Sequence, residues 1–215
     1  MIDFYTANSS NGQRAAIMLE ECALPYTLHK LDLFAGEQGK PEFLAVNPAG
    51  AIPVIVDSDG PGGSPLTVAQ SGAILVYLAE KAGALIPGGA AARYETLQWL
   101  MFQMGGIGPM FGQVGFFVKF AGREFEDKRP RDRYVSEAKR LLAVLEQRLE
   151  GREWIMGREY SIADIATFPW VRNLVGFYGA GDLVGFERFA NVQRVLDEFA
   201  KRPAVQKGLA IPPRD

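Results

Sequence analysis

The stretch Leu85-Ile86-Pro87-Gly88-Gly89 separates two halves with different hydrophobic periods, and this limits the fold more than any other feature of the chain. Before it, short apolar runs alternate with helical patterns. Residues 2–5 read as a strand, residues 12–23 carry Ala15, Ala16, Met18 and Leu19 at helical spacing, and residues 26–31 return as a strand. Such a βαβ unit implies a parallel strand pair. A short helix near residues 41–44 is predicted next, then strands at 54–56 and 65–68 around the turn Gly60-Pro61-Gly62-Gly63, then a helix from 70 to about 81. Beyond the break the strand signal fades, and helices are predicted near residues 91–103, 131–150, 162–175 and 192–201. The chain thus reads as an α/β domain over residues 1–86 followed by an all-α domain over 87–215.

The order β-α-β then β-β-α suggests that the first domain is thioredoxin-like. An apolar fraction of 48% over 215 residues is enough to bury a core without external staples. With 23 basic and 25 acidic residues and no long run of Lys or Arg, nucleic acid is not an expected partner. No charged-then-apolar leader opens the sequence, and no apolar run nears the roughly 20 residues that cross a bilayer. A soluble, cytoplasmic protein with no membrane partner is expected. Cys22 and His29 are the single cysteine and histidine, which excludes an internal disulfide, a CxxC redox pair and a thiolate zinc site. No metal is expected. His29 falls in the second predicted strand and is read as structural, and Cys22, late in the first helix, as a small buried hydrophobe.

Two polar features sit among these elements. Gln70-Ser71 opens an apolar helix, so an amide, a hydroxyl and backbone N–H groups meet at its positive end, where a carboxylate is stabilised. Some eighteen residues upstream, Asn47-Pro48-Ala49-Gly50-Ala51-Ile52-Pro53 is a turn ending in Ile-Pro. Its proline lacks an N–H, which leaves the backbone of Ile52 to pair with an extended peptide. Together they describe a slot for a small anionic peptide. Ser9, Ser10 and Asn11 follow the first strand and precede the first helix, so a thiolate resting there would meet hydroxyl and amide donors and a positive helix end, the conditions that lower a thiol pKa from about 8.5. A protein with such a loop and so few Cys and His residues is suited to activating a thiol that it does not own.

On these residues the chain resembles the glutathione transferase superfamily, and the resemblance spans nearly its whole length. The opening Met1-Ile2-Asp3-Phe4-Tyr5, the loop Ser9-Ser10-Asn11-Gly12 and the segments Leu97-Gln98-Trp99-Leu100 and Gly105-Gly106-Ile107-Gly108-Pro109-Met110 look like the bacterial Nu class, known for glutathione-dependent disulfide-bond reduction. The resemblance implies that Pro53 is cis, that Ile52 pairs with the cysteinyl backbone of glutathione and that Gln70 and Ser71 hold its γ-glutamyl end. It also implies that Asn11 and Ser9, standing where the class has Thr, contact the sulfur, with Ser10 as the alternative hydroxyl. Many members carry a cation where this chain has Ala51; Gln38 matches a polar position near the glycyl end, and Lys128, Arg131 or Arg133 could supply a replacement charge. The implied enzyme is a homodimer using glutathione as co-substrate against a small disulfide, with oxidised glutathione as partner or product. A conventional transferase or peroxidase acting on electrophiles or hydroperoxides, and a non-catalytic interaction module, are the alternatives.

In the helical half, Ser161-Ile162-Ala163-Asp164 places a hydroxyl at an N-cap and an acid at the third helical position, a capping box that accounts for Asp164 without catalysis. The second domain is expected to complete the co-substrate site and the dimer interface. The Gly105–Pro109 stretch reads either as a kink in a helix, leaving room beside an apolar wall of Phe111, Phe116 and Phe117, or as a loop between helices with ordinary core aromatics.

Overall fold

The computed structural model describes residues 1–213. The strands are β1 (Ile2–Thr6), β2 (Tyr26–Lys30), β3 (Val54–Asp57) and β4 (Leu66–Ala69). The helices are α1 (Ser10–Glu21), α2 (Pro41–Leu44), α3 (Ser71–Ala82), α4 (Ala90–Phe102), α5 (Gly108–Lys119), α6 (Arg129–Leu149), α7 (Ile162–Arg172), α8 (Gly181–Val184), α9 (Ala190–Lys201) and α10 (Pro203–Leu209). They form two compact units. The first runs from Met1 to Ile86 and includes the described residues 202–213; the second spans Pro87–Lys201.

In the first unit the sheet order is β2-β1-β3-β4, with β1 and β2 parallel and the other pairs antiparallel, the thioredoxin-like arrangement. Phe4 and Ile55 face each other across β1 and β3 and are fully buried. Helix α1 is buried along most of its length, through Ala15, Ala16, Ile17, Met18 and Leu19, and α3 covers it with Ile74, Leu75 and Leu78. Asp57, at the end of β3, ties α3 to the sheet: it accepts from the Tyr77 hydroxyl at 2.6 Å and faces Lys81 Nζ at 2.9 Å. Burial pushes this carboxyl up, but the donors of Tyr77, Lys81 and Asp59 outweigh it and hold it below the usual carboxylate range.

The sequence reading grouped the C-terminal fourteen residues with the helical half, whereas α10 packs on α1 of the first unit. The contact is backbone to backbone, because a Cβ on Gly208 would lie 2.6 Å from the Ile17 main chain. Arg202 reinforces it, with its Nε and Nη2 on the Glu21 carboxylate at 2.7 and 2.9 Å. Gly208→Ala is therefore expected to cost about 1–3 kcal/mol, since neither main chain yields to a side chain. Urea titration measures it, and an alanine variant as stable as the parent would show that this helix does not press on α1.

The second unit is helical, its described residues adding one isolated bridge between Trp154 and Gly157. Leu100, Phe111, Leu142, Leu145, Ile165, Phe168 and Phe199 form its core. Glu146 of α6 caps α9, accepting from the N–H groups of Asn191 and Val192, both at 3.0 Å. The capping box of α7 is present, and it is completed from outside the helix by the Ile155 N–H, which Asp164 accepts at 2.9 Å.

The Gly105–Pro109 stretch is neither loop nor a simple kink. Residues Gln103–Ile107 form a π-helical turn that leads directly into α5. Gly108, at the end of this stretch, and Gly112 and Gly115 beyond it give α5 a bare face: Gly108 and Gly112 lie against the Trp170 ring, and a Cβ on Gly115 would come within 2.5 Å of the Tyr178 ring. Close helix-to-ring packing offsets their intrinsic cost of about 1 kcal/mol each. Of the aromatics proposed as a wall, Phe111 is core and Phe116 is exposed, the latter edge-to-face with Phe117 at 5.0 Å.

Candidate functional site

Strand register brings the sequence-predicted site residues to one end of one sheet. Tyr5 of β1 is opposite Val54 of β3, and Val54 is opposite Ala69 of β4. The loop Ser9–Asn11 leaves the sheet just beyond Tyr5, the Ile52-Pro53 turn enters it just before Val54, and Gln70-Ser71 departs just after Ala69. Adjacent strands lie about 4.8 Å apart, so this row of three spans about 10 Å, the width of a short peptide.

Ser9 is the N-cap of α1, extended at φ −151° and ψ 159°, and its Oγ accepts the Gly12 N–H at 3.1 Å. The hydroxyl proton is left over for another acceptor. Ser9 and Asn11 are half-buried, whereas Ser10 is 4% exposed. Gly12 lets the helix start against the end of β1, where a Cβ would collide with the Ala7 carbonyl and the Thr6 hydroxyl. Asn11 Oδ1 accepts from Arg14 Nη2, a partner that the sequence reading missed. Its signal was available, since residues three apart share a helix face, but nothing in the sequence marked Arg14 as buried.

The second segment is organised by Asn47, which is 5% exposed. Its Oδ1 accepts from the Ala49 N–H at 3.2 Å and its Nδ2 donates to the Ala51 carbonyl at 2.7 Å. The Ile52-Pro53 bond is cis. This second missed residue was signalled by the Asn-Pro pair, which favours side-chain-to-backbone turns. Gln38 is brought against the same turn, its carbonyl 3.2 Å from where a Gly50 Cβ would stand, and its Nε2 donates to the Leu33 carbonyl at 3.4 Å.

Gln70 lies just before α3 in the left-handed region, at φ 70° and ψ 113°, with its side chain exposed and not used as a cap. A non-glycine residue held there is a strained position of the kind found at ligand sites. Ser71, the first residue of α3, is buried. The alternative cations each have local partners: Lys128 donates to the Arg123 and Phe125 carbonyls, Arg131 pairs with Asp132 at 2.7 Å, and Arg133 lies 3.8 Å from Glu137.

His29 Nε2 donates to Asp3 Oδ1, 2.8 Å away, and the ring stacks on Tyr5 at 4.4 Å, a structural role. Cys22 is the C-cap of α1, about 18 Å along the helix from the first loop, and half-buried rather than fully buried. Burial, helped by Glu21, pushes its thiol up to about 11. With a thiolate fraction of about 10⁻³ at pH 8 it is expected to alkylate far more slowly than free cysteine, and Cys22→Ala is expected to leave turnover within about twofold of the parent. Iodoacetamide labelling followed by mass spectrometry checks the first and steady-state kinetics the second. Among the described residues no group of three or more His, Cys, Asp or Glu is placed to hold a metal ion, and no helix is long and apolar enough to cross a membrane.

The chain is similar to known proteins over most of its length. A family model for the glutathione S-transferase N-terminal domain matches residues 8–81, and one for the C-terminal domain matches residues 108–203. The disulfide-bond oxidoreductase YfcG of Escherichia coli is 48% identical over 172 residues, covering 80% of this chain and 79% of that protein. YghU, a disulfide-bond oxidoreductase of the same organism, is 37% identical over 215 residues, covering 96% and 73%. A glutathione transferase family member from Pseudomonas fluorescens, solved with two glutathione bound, is 62% identical with a TM-score of 0.97 and coverage of 98% and 93%. A glutathione transferase from Pseudomonas putida, solved with one glutathione disulfide per subunit, is 60% identical with a TM-score of 0.96 and coverage of 98% and 91%. With both of its domains matched and relatives this similar over most of its length, the chain belongs to the glutathione S-transferase family.

Proposed function

We propose that this protein is a glutathione-dependent disulfide-bond oxidoreductase, with glutathione as co-substrate and no metal. The observation that carries the reading is the convergence of the Ser9–Asn11 loop, the Ile52-Pro53 turn and Gln70-Ser71 at one end of the sheet. Ile52 would pair with the peptide backbone, Gln70 and Ser71 at the start of α3 would receive the γ-glutamyl carboxylate, and Gln38 would border the glycyl end. Ser9 and Asn11 would donate to the sulfur. Ser10, being buried, supports the loop in this reading. The relatives named disulfide-bond oxidoreductases and the Pseudomonas putida structure holding glutathione disulfide support disulfide exchange over addition to carbon.

The glutathione thiolate attacks one sulfur of a small disulfide, the S–S bond breaks, and one thiolate leaves and takes a proton. A second glutathione thiolate then attacks the mixed disulfide, releasing the other thiol and oxidised glutathione, so that two glutathiones reduce one disulfide. The working form proposed is a cytoplasmic homodimer, which analytical ultracentrifugation tests. Calorimetric titration with reduced and with oxidised glutathione tests the function. Tight binding of the oxidised form, or two reduced molecules per subunit, is the expected result. One reduced molecule with no affinity for the oxidised form would favour a conventional transferase, and no binding of either would favour a non-catalytic module.

A further inference from the structure

We propose that Arg14 is a positioning residue that fixes the amide of Asn11 with its N–H groups toward the glutathione sulfur. The proposal rests on the reading above, in which the first loop holds that sulfur. An asparagine amide has a donating and an accepting end of nearly the same shape, and only the donating end stabilises a thiolate. Arg14 Nη2 donates to Asn11 Oδ1. A guanidinium carries five donors and no acceptor, so the reversed amide would set N–H against N–H; only the oxygen is able to face Arg14. The N–H₂ is thereby committed to the other side.

The surroundings make this constraint firm. Arg14 is 3% exposed and sits in the first turns of α1, whose start is held by the Ser9 cap and by the contact of Gly12 with the end of β1. Gln13, beside it, donates to Asn8 Oδ1 at 3.3 Å and ties the loop's other side. Burial pulls the Arg14 pKa down to about 9, still above neutrality, so the guanidinium remains charged and adds a positive field behind the amide. The helix's own carboxylates, Glu20 and Glu21, stand six and seven residues further on, about 9–10 Å along the axis, and are engaged by Tyr26 and Arg202.

The test is the thiol pKa of bound glutathione, read from thiolate absorbance near 240 nm, in the parent and in the Arg14→Met, Arg14→Lys, Asn11→Ala and Asn11→Asp variants. In the parent the thiol is expected to titrate below its free value. Arg14→Met should raise it by about one unit and lower kcat about 3- to 10-fold with little change in KM for glutathione, because the peptide-binding groups are elsewhere. Arg14→Lys, which keeps a charged donor, should retain most of the depression. Asn11→Asp should stay folded, since an Arg–carboxylate pair replaces the Arg–amide bond, yet lose the depression, because an anionic oxygen now faces the sulfur. In the Asn11→Ala background, Arg14→Met should have a clearly smaller effect, limited to the loss of the guanidinium's positive field.

A folded Arg14→Met variant with the parental thiol pKa, or one whose effect persists undiminished in the Asn11→Ala background, would overturn the proposal. Should Arg14→Met not fold, an Asn11→Asp variant that keeps the depressed pKa would overturn it instead. Failure of the underlying reading has its own signature: a parent protein that binds no glutathione, or binds it with an unshifted thiol, removes both together.

Discussion

Asn11→Ala is expected to lower kcat/KM for reduction of a small disulfide by about 10²-fold while leaving the fold intact. Two effects of opposite sign set this figure. If the Asn11 amide lowers the thiol pKa by about two units, its loss cuts the thiolate fraction about 100-fold at a pH below both values, where the comparison is made. A more basic thiolate is, however, a better nucleophile, and with a Brønsted coefficient of about 0.4–0.5 it recovers about 6- to 10-fold. The pKa term alone therefore leaves about a tenfold loss. The remaining tenfold is assigned to orientation, because a sulfur no longer held by a directed donor spends less time in line with the disulfide. The two parts separate in a pH profile: the loss of thiolate fraction should vanish above about pH 9, where glutathione ionises unaided, leaving the orientation loss offset by the more nucleophilic thiolate, so that the deficit shrinks as pH rises. A variant within twofold of the parent at all pH values would remove Asn11 from the chemistry.

Asp164→Ala is expected to destabilise the protein by about 3–5 kcal/mol, the largest stability effect of any single site considered. Asp164 is 0% exposed and accepts from the Ile155 N–H at 2.9 Å, the Ser161 N–H at 3.0 Å and the Ser161 hydroxyl at 3.1 Å. Alanine strands two buried backbone donors at about 1–3 kcal/mol each and removes half of the capping box. For a chain of this length the melting temperature should fall by about 10 °C or more, measured by circular dichroism. Burial pushes the Asp164 carboxyl up to about 7, against the pull of its donors. In the unfolded chain it titrates near 3.9, so between about pH 4 and pH 7 the folded state binds the extra proton and stability falls as pH rises. Asp164→Asn has no such proton, and its stability should lack this slope across the same window. A parent protein whose stability shows no excess slope over Asp164→Asn would mean that the carboxyl stays ionised when folded.

What was legible from residues alone follows their range in sequence. The Ser161–Asp164 capping box is a four-residue pattern, and it was readable because the donors and acceptors lie within one turn of each other. Strands β1 to β4 and helix α3 were readable within one or two residues, since period and punctuation are local. The π-helical turn at Gln103–Ile107 was not resolved, because the glycines of α5 that follow it are rewarded by Trp170 and Tyr178, rings some sixty residues away in sequence. Helix α10 went unread for the same reason: its small residues carry little period, and Gly208 matters only once Ile17 lies beneath it.

At the proposed site the same line can be drawn. The types of group required, donors in the first loop, an Ile-Pro turn and a polar pair opening a helix, were determined by the sequence, because each is a property of a few adjacent residues. The tertiary structure decided that Tyr5, Val54 and Ala69 share one row and so bring those groups within a peptide's length, that Asn47 supports the turn, and that Arg14 is buried against Asn11. Strand register and side-chain burial depend on contacts between residues far apart in the chain, and no local pattern specifies them.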